Sequence, residues 1–169
     1  MPIHIATEKD IPALVALINS AYRGDGSKQG WTTEADIIAG DYRILPSEME
    51  VLMKRPGVVF LKSENEEQKI EGTVFLEKRG EQLYLGMLSV APGLQGKGTG
   101  HQLVLAAEEH AKQQGCCSVI MRVIHLRNEL IAWYERRGYY NTGRIENYSP
   151  SSYETIVIPF HFVILQKDL

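Results

Sequence analysis

Residues 91–100 read Ala91-Pro92-Gly93-Leu94-Gln95-Gly96-Lys97-Gly98-Thr99-Gly100, with four glycines in the last eight positions. The stretch lies between a β-type run, Leu83–Val90, and a helical run, Gly100–Gln114, that Gly115 stops. A glycine turn opening a helix brings bare backbone near a ligand, and the helix's unpaired N–H groups and positive dipole end converge where an anion would sit. That arrangement suits a pyrophosphate, with Lys97 as a mobile positive charge. Two familiar phosphate loops do not fit. The G-x-G-x-x-G pattern fails because His101 stands where the third glycine belongs, and the Walker pattern fails because Gly98 is followed by Thr99 rather than lysine. What remains is Gln95-x-x-Gly98-x-Gly100.

Working outward, Pro56-Gly57 precedes three β-type segments, Val58–Lys62, Ile70–Glu77 and Leu83–Val90, whose short turns predict an antiparallel meander. After the glycine turn and its helix come a strand, Ser118–Val123, and a helix over Asn128–Arg137 that ends at Gly138. This βαβα order predicts a locally parallel strand pair, hence a mixed α/β fold around a central mixed sheet. Upstream, a helix is expected over Asp10–Tyr22, with Asp10 capping, Pro12 in its first turn and Leu14, Leu17, Ile18 and Ala21 on one face. Residues 24–31 read as a loop, and Thr33 with Asp36, then Ser47 with Glu50, have the spacing of capping boxes for two more short helices. In the tail, Thr142–Asn147 and Phe160–Gln166 are β-like and are expected to close the sheet edge, an edge from which a homodimer could form.

The 169-residue chain suits one domain spanning residues 1–169, burying roughly two-thirds of its surface. Its net charge of −3 argues against nucleic acid or an anionic membrane as partner, and the absence of a signal-peptide pattern or a membrane-length apolar run makes the cytoplasm the expected compartment. Cys116 and Cys117 are adjacent, so their side chains should point to opposite faces of the sheet. With the five histidines scattered, no metal site is expected.

The spelling Gln95-x-x-Gly98-x-Gly100, preceded by Leu88-Ser89-Val90-Ala91-Pro92, resembles the (Gln/Arg)-x-x-Gly-x-(Gly/Ala) signature of the GNAT acyltransferase superfamily. Asn128-Glu129-Leu130-Ile131-Ala132-Trp133-Tyr134-Glu135-Arg136-Arg137-Gly138-Tyr139 is similar to that family's Asn…Ala…Tyr-Glu-x-x-Gly-(Phe/Tyr) segment. The likeness runs in element order over about residues 5–140 and is sharpest over 83–140. It implies acetyl-CoA as co-substrate, held by Leu88, Ser89, Val90, Gln95, Gly96, Lys97, Gly98, Thr99, Gly100 and Asn128, and direct attack of an amine on the thioester. Asn128 also reads as a helix N-cap.

The same resemblance makes Tyr134 the acid toward the departing thiolate and places an oxyanion donor on the backbone N–H of Val90 or Leu88. A phenol of pKa about 10 is a weaker acid than a thiol of about 8.5, so full transfer is uphill by roughly 2 kcal/mol and a hydrogen bond to sulfur is the expected role. A lysine-like amine is neutral in only about one molecule in 2,500 at pH 7, so deprotonating it costs roughly 4.6 kcal/mol and a base is needed. Many relatives carry a glutamate on the strand, but Leu83–Val90 has no carboxylate. Tyr84 stands in that place, and a remote carboxylate acting through water is the alternative.

Acceptor selection is expected from Tyr22, Trp31, Glu34 and Asp36. Trp31 would floor a pocket and the acids would draw a cationic amine. Trp31 as a core residue, and Thr33 with Asp36 as a plain cap, are the competing readings. A small-molecule amine is the expected acceptor, with peptide or protein acetylation, or acyl-CoA sensing without chemistry, as alternatives.

Overall fold

Alternate residues of the meander carry apolar side chains to opposite faces, and the helices divide between those faces. The computed structural model describes residues 2–169. In chain order it contains β1 (Ile3–Ile5), α1 (Ile11–Tyr22), β2 (Ile38–Ala39), α2 (Pro46–Lys54), β3 (Val58–Glu64), β4 (Ile70–Arg79) and β5 (Gln82–Val90). Then follow α3 (Thr99–Gln113), β6 (Ser118–Ile124), α4 (Asn128–Glu135), β7 (Tyr140–Asn147), β8 (Thr155–Ile156) and β9 (His161–Asp168). Phe60 and Phe75 pack with Leu14, Val15 and Ile18 of α1 on one face. Their neighbours Leu61, Val74 and Leu76, with Leu83 and Leu85, pack with Leu103, Val104 and Ala107 of α3 on the other.

The sheet has the order β1-β3-β4-β5-β6-β9-β7, with only the β5–β6 pair parallel. The expected meander and mixed sheet are therefore present. The tail differs from expectation, because β9 enters between β6 and β7 and β7 forms the exposed outer edge. Arrival order along the chain did not predict this, since β9 finds β6 through seven long-range antiparallel partners, Ser118↔Asp168 to Ile124↔Phe162.

Neither proposed capping box opens a helix. The Thr33 hydroxyl is shared with Ser27 Oγ at 2.5 Å and the Ala35 N–H at 3.1 Å, and the chain runs on into β2, which pairs with β8. The second helix starts one residue before Ser47, at Pro46, and it is the Glu48 carboxylate that accepts the Leu45 N–H at 2.9 Å. The loop after α1 winds into a 3-10 turn over Asp25–Gln29. Cys116 is buried and Cys117 exposed, both as free thiols.

What positions the site is a break in β5. Thr73 pairs with Ser89 but Phe75 pairs with Gly86, so Met87 and Leu88 together oppose the single residue Val74. This is a β-bulge, and Met87 takes the left-handed backbone conformation at φ 47°. Parallel pairing of β5 with β6 ends at Tyr84↔Ile120, while β6 continues beside β9 to Ile124. The two strands diverge into a wedge. The Leu88 carbonyl accepts a hydrogen bond from the Tyr22 hydroxyl at the end of α1, which pairs a main-chain group the bulge turns aside.

Candidate active site

Two cavities meet at the wedge, and Tyr22, Leu88, Leu130 and Tyr134 line both. The larger, about 290 Å³, runs along the glycine turn beneath Trp31 and Trp133. The smaller, about 70 Å³, lies between the diverging strands, with Gly86 and Leu88 on one wall and Arg122 and Ile124 on the other.

The larger cleft takes its floor from the turn. Gly96 and Gly98 have φ of 85° and 88°, and a Cβ built at either would meet no atom within 4 Å, so bare backbone faces open space. The first main-chain bond inside α3 runs from the Gln102 N–H to Gly98 O at 3.0 Å, leaving the N–H groups of Thr99, Gly100 and His101 without helical partners. Three such donors at the positive end of a 15-residue helix suit a pyrophosphate, and the cleft has room for a chain attached to it. Lys97 is exposed and lines neither cavity. Gln95 spends its amide within the protein. Nε2 donates to Thr32 Oγ1 at 2.8 Å and to Val90 O at 3.1 Å, while Oε1 accepts the Trp31 N–H at 2.9 Å. It ties the loop after α1 to the turn, and a Cβ on Gly30 would sit 2.5 Å from Gln95 Oε1. Ser89 is buried, with its hydroxyl on Met87 O at 3.0 Å. Asn128 is exposed at the start of α4, makes no cap bond and lines neither cavity.

Tyr134 stands where the cavities join. It is 4% exposed, it packs edge-on to Trp133 at 5.0 Å and Tyr139 at 5.7 Å, and its hydroxyl makes no hydrogen bond among the described residues. Burial pushes its pKa well above the ordinary phenol value, and the neighbouring Tyr22 and Tyr139 phenols add to the rise. Tyr22 is pushed up to about 12, by burial first and then by Glu34. Both therefore remain protonated donors at neutral pH.

Of the residues expected to select the acceptor, Tyr22 and Glu34 line the small cavity, together with Tyr84. The other two lie elsewhere. Trp31 covers the larger cleft, 6.2 Å from Trp133, and Asp36 is exposed beside Lys28 at 3.3 Å. Glu34 is held by Arg23 at 2.5 Å and Arg127 at 3.5 Å, so its charge is already answered. Arg23 also binds Glu154 at 2.7 Å, and Glu154 accepts from the Tyr148 hydroxyl and from the Ser151 N–H at 3.0 Å. Arg43, Arg122, Arg127 and Tyr148 complete the wall. Sequence reading passed over all four, since each is an ordinary polar residue until the fold brings α1, β6 and the tail together.

No cluster of His, Cys, Asp and Glu suited to a metal, and no helix long and apolar enough to cross a membrane, occurs among the described residues.

The profile of the Acetyltransferase (GNAT) family matches residues 14–139, and the chain belongs to that family. Solved structures share the fold at low identity. A ribosomal-protein-alanine N-acetyltransferase from Brucella melitensis is 20% identical with a TM-score of 0.74, and the match covers 100% of both chains. A protein given the provisional name phosphinothricin N-acetyltransferase is 18% identical with a TM-score of 0.74, covering 99% of this chain and 98% of that one. A Salmonella typhimurium protein solved with its cofactor acetyl-CoA is 17% identical with a TM-score of 0.70, covering 100% of this chain and 94% of the other. No curated protein is matched by the sequence.

Proposed function

We propose that this chain moves an acetyl group from acetyl-CoA to the primary amine of a small molecule by direct attack. The observation that carries the reading is the junction of a phosphate-suited cleft with a narrow second cavity at Tyr134. The N–H groups of Thr99, Gly100 and His101 would hold the pyrophosphate, and Gly96 and Gly98 would let it approach the main chain. The amine enters from the wedge. Its nitrogen forms a bond to the thioester carbon, the carbonyl oxygen takes negative charge, and the carbon–sulfur bond then breaks. The bulge at Met87 and Leu88 takes main chain out of the ladder beside that carbon, and Leu88 and Val90 are our candidates for the oxyanion donor. Tyr84 lines the acceptor cavity and is the group that would relay the amine's proton, while Glu34, paired with Arg23 and Arg127, holds those arginines in the wall. Tyr134 donates a hydrogen bond to the departing sulfur. The narrow wedge favours a small acceptor over a protein chain.

Calorimetry should give saturable acetyl-CoA binding, and thiol release should follow when amines are added. No measurable affinity at millimolar acetyl-CoA would remove the reading, whereas binding without turnover of any amine would leave a sensor. Gly98→Val should weaken acetyl-CoA binding at least tenfold. A branched residue at φ 88° costs about 1–2 kcal/mol and shifts the helix start that carries the donors.

A further inference from the structure

The small cavity is lined by four arginines, Arg23, Arg43, Arg122 and Arg127, and by one carboxylate, Glu34, with Glu154 behind it. Glu34 and Glu154 are spent on Arg23 and Arg127. Arg122 reaches only the exposed Glu146 at 3.8 Å and lies over the Phe162 ring at 4.4 Å. Arg43 has no acid at all: its half-buried guanidinium makes no ion pair or hydrogen bond among the described residues. The main chain that carries it is anchored, because Asn19 Oδ1 accepts the main-chain N–H groups of Arg43 at 2.7 Å and Ile44 at 3.0 Å, and Asn19 Nδ2 donates to Ile44 O at 3.0 Å. The field of this guanidinium reaches Tyr22 and Tyr148, where it opposes the rise that burial imposes on both phenols.

A half-buried guanidinium in a cavity wall without a counter-charge is incompletely solvated, and a ligand anion relieves that cost. Its planar fork matches a carboxylate or a phosphonate better than any neutral group. Resting on the acyltransfer reading above, we infer that the acceptor carries an oxyanion close to its amine, and that Arg43, with Arg127 beside it, binds that anion. The acceptor class is then amino acids and aminophosphonates rather than simple amines or peptide termini. The same surplus of positive charge disfavours an ammonium next to it, so an amine anchored through its anion loses its proton more readily than it does in water. One set of arginines thus selects the acceptor and eases the deprotonation that direct attack requires.

The test uses the full chain with saturating acetyl-CoA. Thiol release is followed with free L-amino acids and aminoalkylphosphonates, with the matched amino-acid amides, with simple alkylamines and with a peptide that starts with alanine. Free acids should exceed their amides at least tenfold in kcat/KM. Arg43→Met should lose at least tenfold for the acids, mostly in KM, and several-fold less for the amides, while acetyl-CoA affinity holds and Arg43→Lys recovers part of the loss. Amides or peptides used as well as free acids, no turnover of any anionic amine, or an equal effect of Arg43→Met on acids and amides would each overturn the inference. The acid-to-amide ratio of the unaltered protein decides the matter even where the variant does not fold. Acetyl-CoA binding with preferential use of neutral amines overturns the anion site alone; absence of acetyl-CoA binding overturns the acyltransfer reading itself.

Discussion

A Tyr134→Phe variant is expected to lose about 100-fold in turnover number while keeping its affinity for acetyl-CoA. Removing a positioned acid commonly costs between about 10² and 10⁴ in rate. The lower end is expected because this phenol is a reluctant acid. Burial, with Tyr22 and Tyr139 as neighbours, holds its pKa well above 10, so complete transfer to a thiolate of pKa near 8.5 is uphill. What it can supply is a hydrogen bond that strengthens as charge grows on sulfur, in a site where burial magnifies it. The same raised pKa sets the pH response. Tyr134 stays protonated through neutral and mildly alkaline pH, so turnover should not fall through its ionisation below about pH 10, and any limb near neutrality belongs to the amine or its base. Because the hydroxyl makes no hydrogen bond among the described residues, its loss should change stability by less than about 1 kcal/mol. Steady-state kinetics with a thiol reporter, beside thermal melting, makes the check, and an unchanged turnover number would remove Tyr134 from the chemistry.

The contrast between what was legible in the sequence and what was not follows the range of the interactions. The glycine turn is a local object, for Gly96 and Gly98 are needed because the backbone there is left-handed, and a neighbouring helix supplies the donors. The strands from Val58 to Val90 are joined by short turns, so their pairing also follows from neighbouring residues. By contrast, Thr33 and Asp36 spell a helix start, yet the Thr33 hydroxyl turns back to Ser27 and the chain is drawn into pairing with a strand more than a hundred residues away. Gln95 sits in the most recognisable motif of the chain, but its side chain is used on Trp31, Thr32 and Val90. The small cavity between β5 and β6 is the extreme case. Its arginines come from the residue just after α1, from the segments before α2 and α4, and from β6, and its charge balance exists only once those elements have met.

Arg23 with Glu154 ties the end of α1 to the tail beside this cavity, and cutting that contact is expected to cost about 3–5 kcal/mol of stability. The two side chains are each 1% exposed and lie 2.7 Å apart, so Glu154→Ala would leave a buried guanidinium with half its counter-charge. In a chain of this length that is a fall of about 10 °C or more in Tm. Glu154→Gln keeps an acceptor for Tyr148 and should cost less. The pH dependence has a definite sign. Burial works to raise the Glu154 pKa, but hydrogen bonds from Tyr148, Arg23 and the Ser151 N–H prevail and hold it below the ordinary carboxyl value. A carboxylate with a lowered folded-state pKa contributes its stability in full above the unfolded value and loses it as pH falls through the folded one. The stability gap between the unaltered protein and Glu154→Gln should therefore be widest near pH 7 and should close below about pH 4.5. Denaturant melts at pH 7 and pH 4 measure it, and a gap that is constant or grows in acid would refute the assignment. Function should divide along the same line. Arg23 links Glu154 to Glu34, and Glu34 reaches Arg127, so loosening Glu154 should raise KM for the acceptor. Acetyl-CoA affinity should hold, because the glycine turn takes none of its contacts from this cluster.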